Sequence, residues 1–327
     1  MLLDLLKSLV KYPFATTAKD ARQEVRVPVK LINAMPFDAP TASSFAGIAG
    51  DARAMKCVVL SKDIALVAGK DGLFLINRND IYIGKSLEVY GEYAGLEGKM
   101  LMSLVQPGQT VIEVGANIGS HTVGLAKRVG PSGQVFAFEP QRACFALLQS
   151  QIALNQLHSV IAFNEGSGAD ECELWLPQID YSRQGNYGGV PLRRSGSGRQ
   201  EKVKVRRLDD VFPDTPVHLI KIDVEGMERE VIEGARKLIE SSKPNLYVEN
   251  DRVEESAALI SLIQDYGYRL WWHIPPLFNP GNFFNVEENK FGEISSFNML
   301  CVHRSSQLNV EGLTEIESST DRHPLAE

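Results

Sequence analysis

A two-glycine turn followed by an acidic residue is the first feature of this sequence that suits a chemical role. The turn runs Gly115-Ala-Asn-Ile-Gly119 and follows the apolar run Thr110–Val114. Glycine adopts positive φ and, having no Cβ, lets a ligand approach the backbone closely. Glu139 ends the next apolar run, at the strand end where ligands of parallel sheets bind. Because a carboxylate there can accept hydrogen bonds from ribose hydroxyls, we predict a nucleoside site.

The spacing of the glycines indicates which nucleoside is bound. A dinucleotide-binding turn has the pattern G-x-G-x-x-G, but Gly115 and Gly119 are separated by three residues and are preceded by Glu113. This spacing suits a pyrophosphate poorly and disfavours an NAD-dependent oxidoreductase. It favours S-adenosylmethionine, which has no phosphate and depends less on a helix dipole. The alternative is an ordinary turn without a ligand, and the Phe138-Glu139-Pro140 tip argues against it.

Three charged residues alternate at the end of another strand, in the stretch Leu219-Ile-Lys-Ile-Asp-Val-Glu225. Lys221, Asp223 and Glu225 therefore point to one face while the strand lasts. Central parallel strands are usually unbroken apolar runs, and burying charges there is costly unless they are paired or used. A structural ion pair of Lys221 with Asp223 or Glu225 is one explanation. We favour the other, a site role for Asp223 at the same sheet edge as Glu139.

The elements that position these residues alternate between strands and helices from residue 110 to residue 266. This alternation predicts a parallel sheet with helical crossovers, within a main domain of residues 96–304. The last two apolar runs, Tyr268–His273 and Phe297–His303, have no helix between them. They predict an antiparallel hairpin at one edge of the sheet.

Other segments precede, interrupt and follow this pattern. Residues 56–95 are predicted to form a small β meander, whose last strand would be residues 80–84. A helix is expected over Glu88–Val105. We predict that residues 1–55 form an irregular lead-in that begins with a short amphipathic helix. Residues 305–327 are predicted to form a disordered tail. Residues 177–201 are rich in Gly, Ser, Arg and Gln. They predict either an ordinary surface excursion or a lid over a substrate.

Composition and charge exclude several classes of protein. The chain has 327 residues, 44% of them hydrophobic and 23% charged, with a net charge of −7. The negative net charge argues against a protein that binds nucleic acid mainly through the phosphates of its backbone. The four cysteines are scattered, which indicates neither a zinc site nor a disulfide framework. No run reaches the length of a membrane span and no cleavable leader is evident, so we expect a cytoplasmic protein.

The order of the motifs resembles the FkbM-type family of S-adenosylmethionine-dependent methyltransferases. The motifs that carry the resemblance are VIEVGANIG, FEP, LNQL, GNYGG, VRRLDD and IKIDVEGME, of which the last is the most diagnostic. The similarity runs from about Tyr90 to Tyr247, and the later WWHIPPLFNPGNFF and SFNMLCV segments extend it. It implies an α/β, Rossmann-like class I methyltransferase fold, with a mostly parallel seven-stranded sheet and a C-terminal antiparallel hairpin. It also implies O-methylation of a hydroxyl on a sugar, a glycan or a secondary metabolite.

The resemblance also implies roles for individual residues. The methionine moiety of the cofactor would be surrounded by Glu113, Gly115, Asn117 and Gly119. The ribose would be held by Glu139 with Pro140, the adenine would lie near Gly166 and Ser167, and the reacting methyl would lie near Asp223 and Glu225. The sequence departs from the family in having Glu113 where Asp is commoner, and a less apolar stretch at residues 165–167.

The expected reaction needs a base more than a metal. Methyl transfer from a sulfonium is an in-line displacement, so much of the rate comes from holding donor and acceptor in line. An alcohol is a weak nucleophile until its proton is removed, and Asp223 or His273 could accept that proton. His121, just after the turn, is interpreted as an ordinary helix residue. Asp223, Glu225 and Glu249 could converge, but no ligand spacing supports a metal and we predict none.

Two other classes of function remain open. One is an RNA or protein methyltransferase, although the acidic balance speaks against RNA. The other is a catalytically silent methyltransferase-like module that binds without reacting. The expected partner is a small-molecule or glycan acceptor, with no nucleic acid. The oligomeric state is open, and includes a homodimer.

Overall fold

A computed structural model describes residues 56–195 and 198–326. The predicted lead-in of residues 1–55, with its N-terminal helix, lies outside the described residues. Strands and helices are numbered in chain order over this part of the chain. Among these residues, no helix combines the length and apolar character that crossing a bilayer requires.

The strands are β1 (Cys57–Val59), β2 (Ile64–Ala68), β3 (Leu73–Asn77), β4 (Thr110–Val114), β5 (Gln134–Phe138), β6 (Val160–Phe163), β7 (Gly166–Ser167), β8 (Cys172–Pro177), β9 (Gln200–Arg206), β10 (Leu219–Ile222), β11 (Asn245–Glu249), β12 (Tyr268–His273), β13 (Asn298–His303) and β14 (Thr314–Ile316). The helices are α1 (Ile83–Tyr90), α2 (Gly95–Ser103), α3 (Thr122–Val129), α4 (Arg142–Leu154), α5 (Leu208–Val211), α6 (Glu228–Gly234), α7 (Arg236–Ser242) and α8 (Val253–Asp265).

The main sheet has the strand order β14-β12-β13-β11-β10-β4-β5-β6. Strands β6, β5, β4, β10 and β11 run parallel, as predicted. The chain moves outward from β4 through β5 to β6, and then crosses to β10 on the other side of β4. The order therefore reverses at β4, and ligands of open α/β sheets bind at such a switch point, outside the carboxyl ends of the strands.

Two apolar layers cover the two faces of this sheet. Consecutive residues of one strand belong to different layers, because side chains alternate across a pleated strand. Leu219 packs in the layer with Val111 and Val135, whereas Ile220 packs in the layer with Ile112. All four residues of β10 are buried, including Lys221. The apolar runs of these strands thus reflect strands that are covered on both faces.

The C-terminal strands form the antiparallel edge. β12 pairs antiparallel with β13, which confirms the predicted hairpin, and β13 pairs antiparallel with β11. The sheet has an eighth strand beyond the expected seven, because β14 pairs with β12. The prediction of a disordered tail is therefore wrong for this segment. Ile316 is 2% exposed and fixes the strand, but one apolar residue among polar ones gives no sequence signal.

The N-terminal meander is confirmed as a three-stranded antiparallel sheet of β1, β2 and β3. The expected strand over residues 80–84 is wrong, because α1 begins at Ile83. The carboxylate of Asp80 accepts hydrogen bonds from the backbone N–H groups of Tyr82 (3.0 Å) and Gly84 (3.2 Å), which stabilises a helix start there. The single helix expected over Glu88–Val105 is instead two helices, α1 and α2, with Gly91 in the left-handed region after α1.

A second small sheet follows β6. β7 pairs parallel with β9, and β8 pairs antiparallel with β9. Between β8 and β9, the described residues 178–195 and 198–199 belong to no strand, although Arg193 forms an isolated antiparallel bridge with Trp175 of β8.

Candidate active site

A cavity of about 340 Å³ lies at the carboxyl ends of β4, β5, β10 and β11. Parallel strands bring the ends of consecutive βα turns to one sheet edge, so residues distant in sequence meet there. The predicted site residues that line it are Glu113, Gly115, Asn117, Glu139, Pro140, Gly166, Ser167, Asp223 and Glu225. Two others, Gly119 and His273, are not among the described residues that line the cavity.

The glycine turn is fastened to the end of β5. The backbone N–H groups of Gly115 and Ala116 both donate to the carbonyl of Phe138, at 3.0 and 2.9 Å. Gly115 has a φ of +86°, and a Cβ there would lie 1.7 Å from the carbonyl oxygen of Asp223. Gly115 is therefore required by the backbone of the neighbouring strand, whereas the sequence had suggested a ligand as the close neighbour.

Glu139 joins the turn to the chain that follows β5. Its two carboxylate oxygens accept the backbone N–H groups of Asn117 and Gln141, each at 2.8 Å, and the residue is 3% exposed. Burial raises the pKa of Glu139 to about 7, although these two hydrogen bonds act in the opposite direction. A carboxylate has about four lone-pair sites, so two remain for ligand hydroxyls.

Lys221 and Asp223 form an ion pair at the floor of the cavity, with Nζ 2.9 Å from Oδ2. The Lys221 side chain is 3% exposed, whereas that of Asp223 is 36% exposed. Burial alone would lower the pKa of Lys221, but the carboxylates of Asp223, Glu97 and Glu113 outweigh it and raise the pKa. The two interpretations of this strand are thus compatible, since Asp223 is paired with a buried cation and also faces the cavity.

Glu225 and Glu249 lie beside Asp223. One carboxylate oxygen from each of the three residues lies within 4.8 Å of the others. Burial raises the pKa of Glu225 to about 7, and the negative charges of Asp223 and Asp251 add to this. Burial, together with Asp223 and Glu225, also raises the pKa of Glu249 well above its usual range. These shifts mark a locally unbalanced negative charge.

Glu97, His121 and Tyr93 line the cavity and were not predicted as site residues. His121 Nε2 lies 3.5 Å from Glu97 Oε1, and both side chains are 6% exposed. Burial would raise the pKa of Glu97, but its contact with His121 lowers it to about 2. The Tyr93 ring lies against the His121 ring, with centroids 5.7 Å apart. His121 follows the glycine turn in sequence, but Glu97 and Tyr93 carry no pattern that could have found them.

The segment between β8 and β9 contributes another wall, formed by Asn186, Gly188, Gly189, Val190 and Leu192. Gln141 holds this segment from the end of β5. Its Nε2 donates to the carbonyl of Tyr187 at 2.6 Å, and its Oε1 accepts from the Tyr181 hydroxyl at 3.0 Å. Of the two interpretations of this loop, its position against the cavity favours the lid.

His273, the second candidate base, lies at the end of β12. Its Nδ1 is 2.7 Å from the Tyr247 hydroxyl. Burial lowers the pKa of His273, which favours the neutral imidazole. A role for His273 stays a prediction.

Comparison with known proteins shows what this part of the chain is similar to. Residues 113–270 match the family model described as "Methyltransferase FkbM domain". The chain is 31% identical to "Methyltransferase 1" of Beauveria bassiana (strain ARSEF 2860), with 38% of this chain and 57% of that protein covered. It is 30% identical to "Methyltransferase sdnD" of Sordaria araneosa, with 38% of this chain and 59% of that protein covered. The chain thus spans less than two thirds of the length of these relatives.

A solved structure of methyltransferase FkbM from Methylobacillus flagellatus KT is also similar, with 17% identity and a TM-score of 0.37. The match covers 68% of this chain and 55% of that one. The matched range includes the turn after β4, the Glu139 tip and the Asp223 strand end, each of which contributes residues to the cavity lining. The match over residues 113–270 therefore confirms the resemblance to the FkbM-type family of S-adenosylmethionine-dependent methyltransferases that the motifs predicted.

Proposed function

We propose that this protein transfers the methyl group of S-adenosylmethionine to a hydroxyl of a sugar, a glycan or a secondary metabolite. One observation carries the proposal. A single cavity at the switch point of the sheet has Glu139 on one side and Asp223 on the other, with Gly115 between them. That arrangement suits a donor bound over the glycine turn and an acceptor held beside Asp223.

The donor half fits a nucleoside. Glu139 is oriented by two backbone hydrogen bonds and keeps lone pairs for the ribose hydroxyls. The Ser167 hydroxyl is buried without a hydrogen-bond partner and lines the same cavity. Buried polar groups are rarely left unpaired, so Ser167 supports the expectation that a polar edge such as adenine's lies there. Glu113, Asn117 and Gly119 would surround or shape the methionine end, and Pro140 and Gly166 the ribose and adenine.

The acceptor half fits a hydroxyl. When bound, S-adenosylmethionine supplies an electrophilic methyl group on a sulfonium. The attacking oxygen forms its bond to the methyl carbon as the carbon–sulfur bond breaks, and the hydroxyl proton passes to a base. Asp223 is the proposed base, because it faces the cavity and Lys221 holds its Oδ2 at 2.9 Å. Glu225 would lie beside the reacting methyl, and His273 is the alternative base.

The charge of the cavity supports a neutral acceptor. Among the described residues that line it, carboxylates outnumber cationic side chains, and Lys221 is already paired. A phosphate-bearing acceptor such as RNA would be repelled by this cluster. Tyr82, Tyr93 and Leu277 add apolar surface, which suits the ring face of a sugar or the carbon skeleton of a secondary metabolite.

The proposal is tested by incubating the protein with methyl-labelled S-adenosylmethionine and three acceptor pools: a small-molecule and glycan extract, total RNA, and denatured protein. We expect label in the first pool, in products that survive mild base, as ethers do. Label that enters RNA or protein instead would contradict the proposal. Binding of S-adenosylmethionine with no transfer to any pool would favour the silent binding module.

A further inference from the structure

Asp223, Glu225 and Glu249 converge although they come from separate parts of the chain. β10 and β11 are parallel neighbours, with Ile222 opposite Val248, so the carboxyl ends of the two strands meet. One oxygen from each of the three carboxylates lies within 4.8 Å of the others. Two oxygens on one cation are separated by at most twice the metal–oxygen distance, about 4.2 Å for Mg²⁺ and about 4.6–5.2 Å for Ca²⁺. The three oxygens are thus close enough to share one cation after small side-chain adjustments.

Two unpartnered polar groups point to a ligand at this cluster. Glu249 Oε2 is buried and has no hydrogen-bond partner. Asn298 is 4% exposed, lines the cavity, and lies directly opposite Glu249 in the β11–β13 pairing. Its Nδ2 has no hydrogen bond of good geometry and acts only as a weak donor toward the nearby Tyr247 hydroxyl. Buried polar groups are nearly always paired, and rotation of the amide would turn Oδ1, a ligand for hard cations, toward the same space.

The negative charges around this cluster are not fully neutralised by neighbouring cations, which favours binding of a divalent cation. Lys221 is paired with Asp223 at 2.9 Å, and Arg252 lies 3.4 Å from Glu225. Asp251 adds a further negative charge to the cavity wall. The carboxylates of the cluster and its wall therefore outnumber the cationic side chains that face them. Oxygen ligands of this type suit Mg²⁺, Mn²⁺ or Ca²⁺ rather than softer metals.

We propose that Asp223, Glu225 and Glu249 bind one hard divalent cation, with the Asn298 amide as a further oxygen ligand. From the sequence, convergence of these three carboxylates was considered but no metal was predicted, because their spacing along the chain does not show how β10, β11 and β13 pair. A cation at this place would contact the acceptor hydroxyl and make it easier to deprotonate. That consequence rests on the proposed function, whereas cation binding by these residues does not.

The test uses the full chain and Mn²⁺ alone, with free Mn²⁺ followed by electron paramagnetic resonance. We expect one site per chain that Mg²⁺ displaces in competition. Glu249→Gln keeps the side-chain shape and should weaken Mn²⁺ at least tenfold. The matched control is Glu254→Gln, an exposed carboxylate on α8, which should bind Mn²⁺ like the unmodified protein. Asn298→Ala should weaken binding less than Glu249→Gln does.

Absence of Mn²⁺ binding at millimolar concentration in the unmodified chain would overturn the proposal. Equal affinity in the Glu249→Gln and Glu254→Gln proteins would overturn it as well. Circular dichroism of each variant establishes that it is folded, and the competition on the unmodified protein does not depend on any variant. S-adenosylmethionine binding is measured separately, so failure of the metal site leaves the methyltransferase proposal standing, and failure of that proposal leaves the metal site standing.

Discussion

A Cβ atom on Gly115 would lie 1.7 Å from the carbonyl oxygen of Asp223. The turn after β4 and the end of β10 are thus in direct backbone contact, on adjacent strands that are in register from Val111 and Leu219 onward. The two halves of the proposed reaction site share this contact. Any side chain at residue 115 must separate the donor turn from the strand that carries the proposed base.

Gly115→Ala should therefore reduce both stability and activity. The alanine would have to occupy a φ of +86° and displace the Asp223 carbonyl. Strain at positive φ and overpacking together are expected to lower the free energy of unfolding by about 2–4 kcal/mol, measured by urea denaturation. Gly130→Ala is the control, since Gly130 has a φ of +67° with nothing within 4 Å of its added Cβ. Equal losses in the two variants would contradict a role for the contact with Asp223.

The raised pKa of Glu139 makes a prediction about pH. In the folded protein, Glu139 keeps its proton up to about pH 7. In the unfolded chain, a glutamate of ordinary pKa 4.5 loses its proton at a lower pH. Between these values the folded state binds more protons, so stability should fall as pH rises, by at most about 1.4 kcal/mol per pH unit. Glu139→Gln should remove this contribution to the slope.

Urea unfolding at intervals from pH 4.5 to pH 7.5 checks the Glu139 prediction. Loss of the carboxylate's backbone hydrogen bonds appears as a constant offset between the two proteins, so only the difference in slope is the readout. Parallel curves would show that Glu139 ionises in the folded protein as it does in the unfolded chain.

Asp223→Asn should separate binding from turnover. Removing a general base typically lowers the rate by about 10²–10⁴-fold, while S-adenosylmethionine should still bind over the glycine turn. The change also leaves Lys221 without its partner at 2.9 Å, so the melting temperature is measured alongside. Asp265→Asn, at an exposed position at the end of α8, serves as the control. Normal turnover in Asp223→Asn would remove Asp223 from the mechanism.

Gln141→Ala should release the loop that forms one wall of the cavity. It removes the hydrogen bonds to the Tyr187 carbonyl and from the Tyr181 hydroxyl. Together these are worth about 1–3 kcal/mol, so limited trypsin cleavage after Arg183 and Arg193 should become roughly 5- to 150-fold faster. Gln134→Ala removes a hydrogen bond to the Ser159 carbonyl, away from this loop, and should not change the cleavage rate. Equal cleavage in the two variants would mean that Gln141 does not hold the loop.

The centre of the site could be predicted from sequence because strand ends in a parallel sheet meet at one edge. Gly115, Glu139 and Asp223 each follow an apolar run, and that position alone brings them together. Glu97 could not be predicted, because α2 reaches the cavity through packing that no local pattern records. Glu249 was visible as a strand end, but its convergence with Asp223 depends on which strands are neighbours.

Two differences in the fold have similar causes. The stretch of residues 80–84 is apolar enough for a strand or a helix, and Asp80 decides the outcome through its hydrogen bonds to the backbone of Tyr82 and Gly84. The strand β14 is three residues long with one buried side chain, Ile316. Short elements of this kind are stabilised by the edge of the sheet they join rather than by their own sequence.

The most direct measurement is calorimetric titration of S-adenosylmethionine into the unmodified protein and the Glu139→Ala variant, with Glu171→Ala as an exposed carboxylate control. We predict one site per chain that weakens in Glu139→Ala by about 1.5–3 kcal/mol, the scale of a charge-assisted hydrogen bond. The control should bind like the unmodified protein. No binding to the unmodified protein, or equal affinity in Glu139→Ala, would contradict the assignment of this cavity as the donor site.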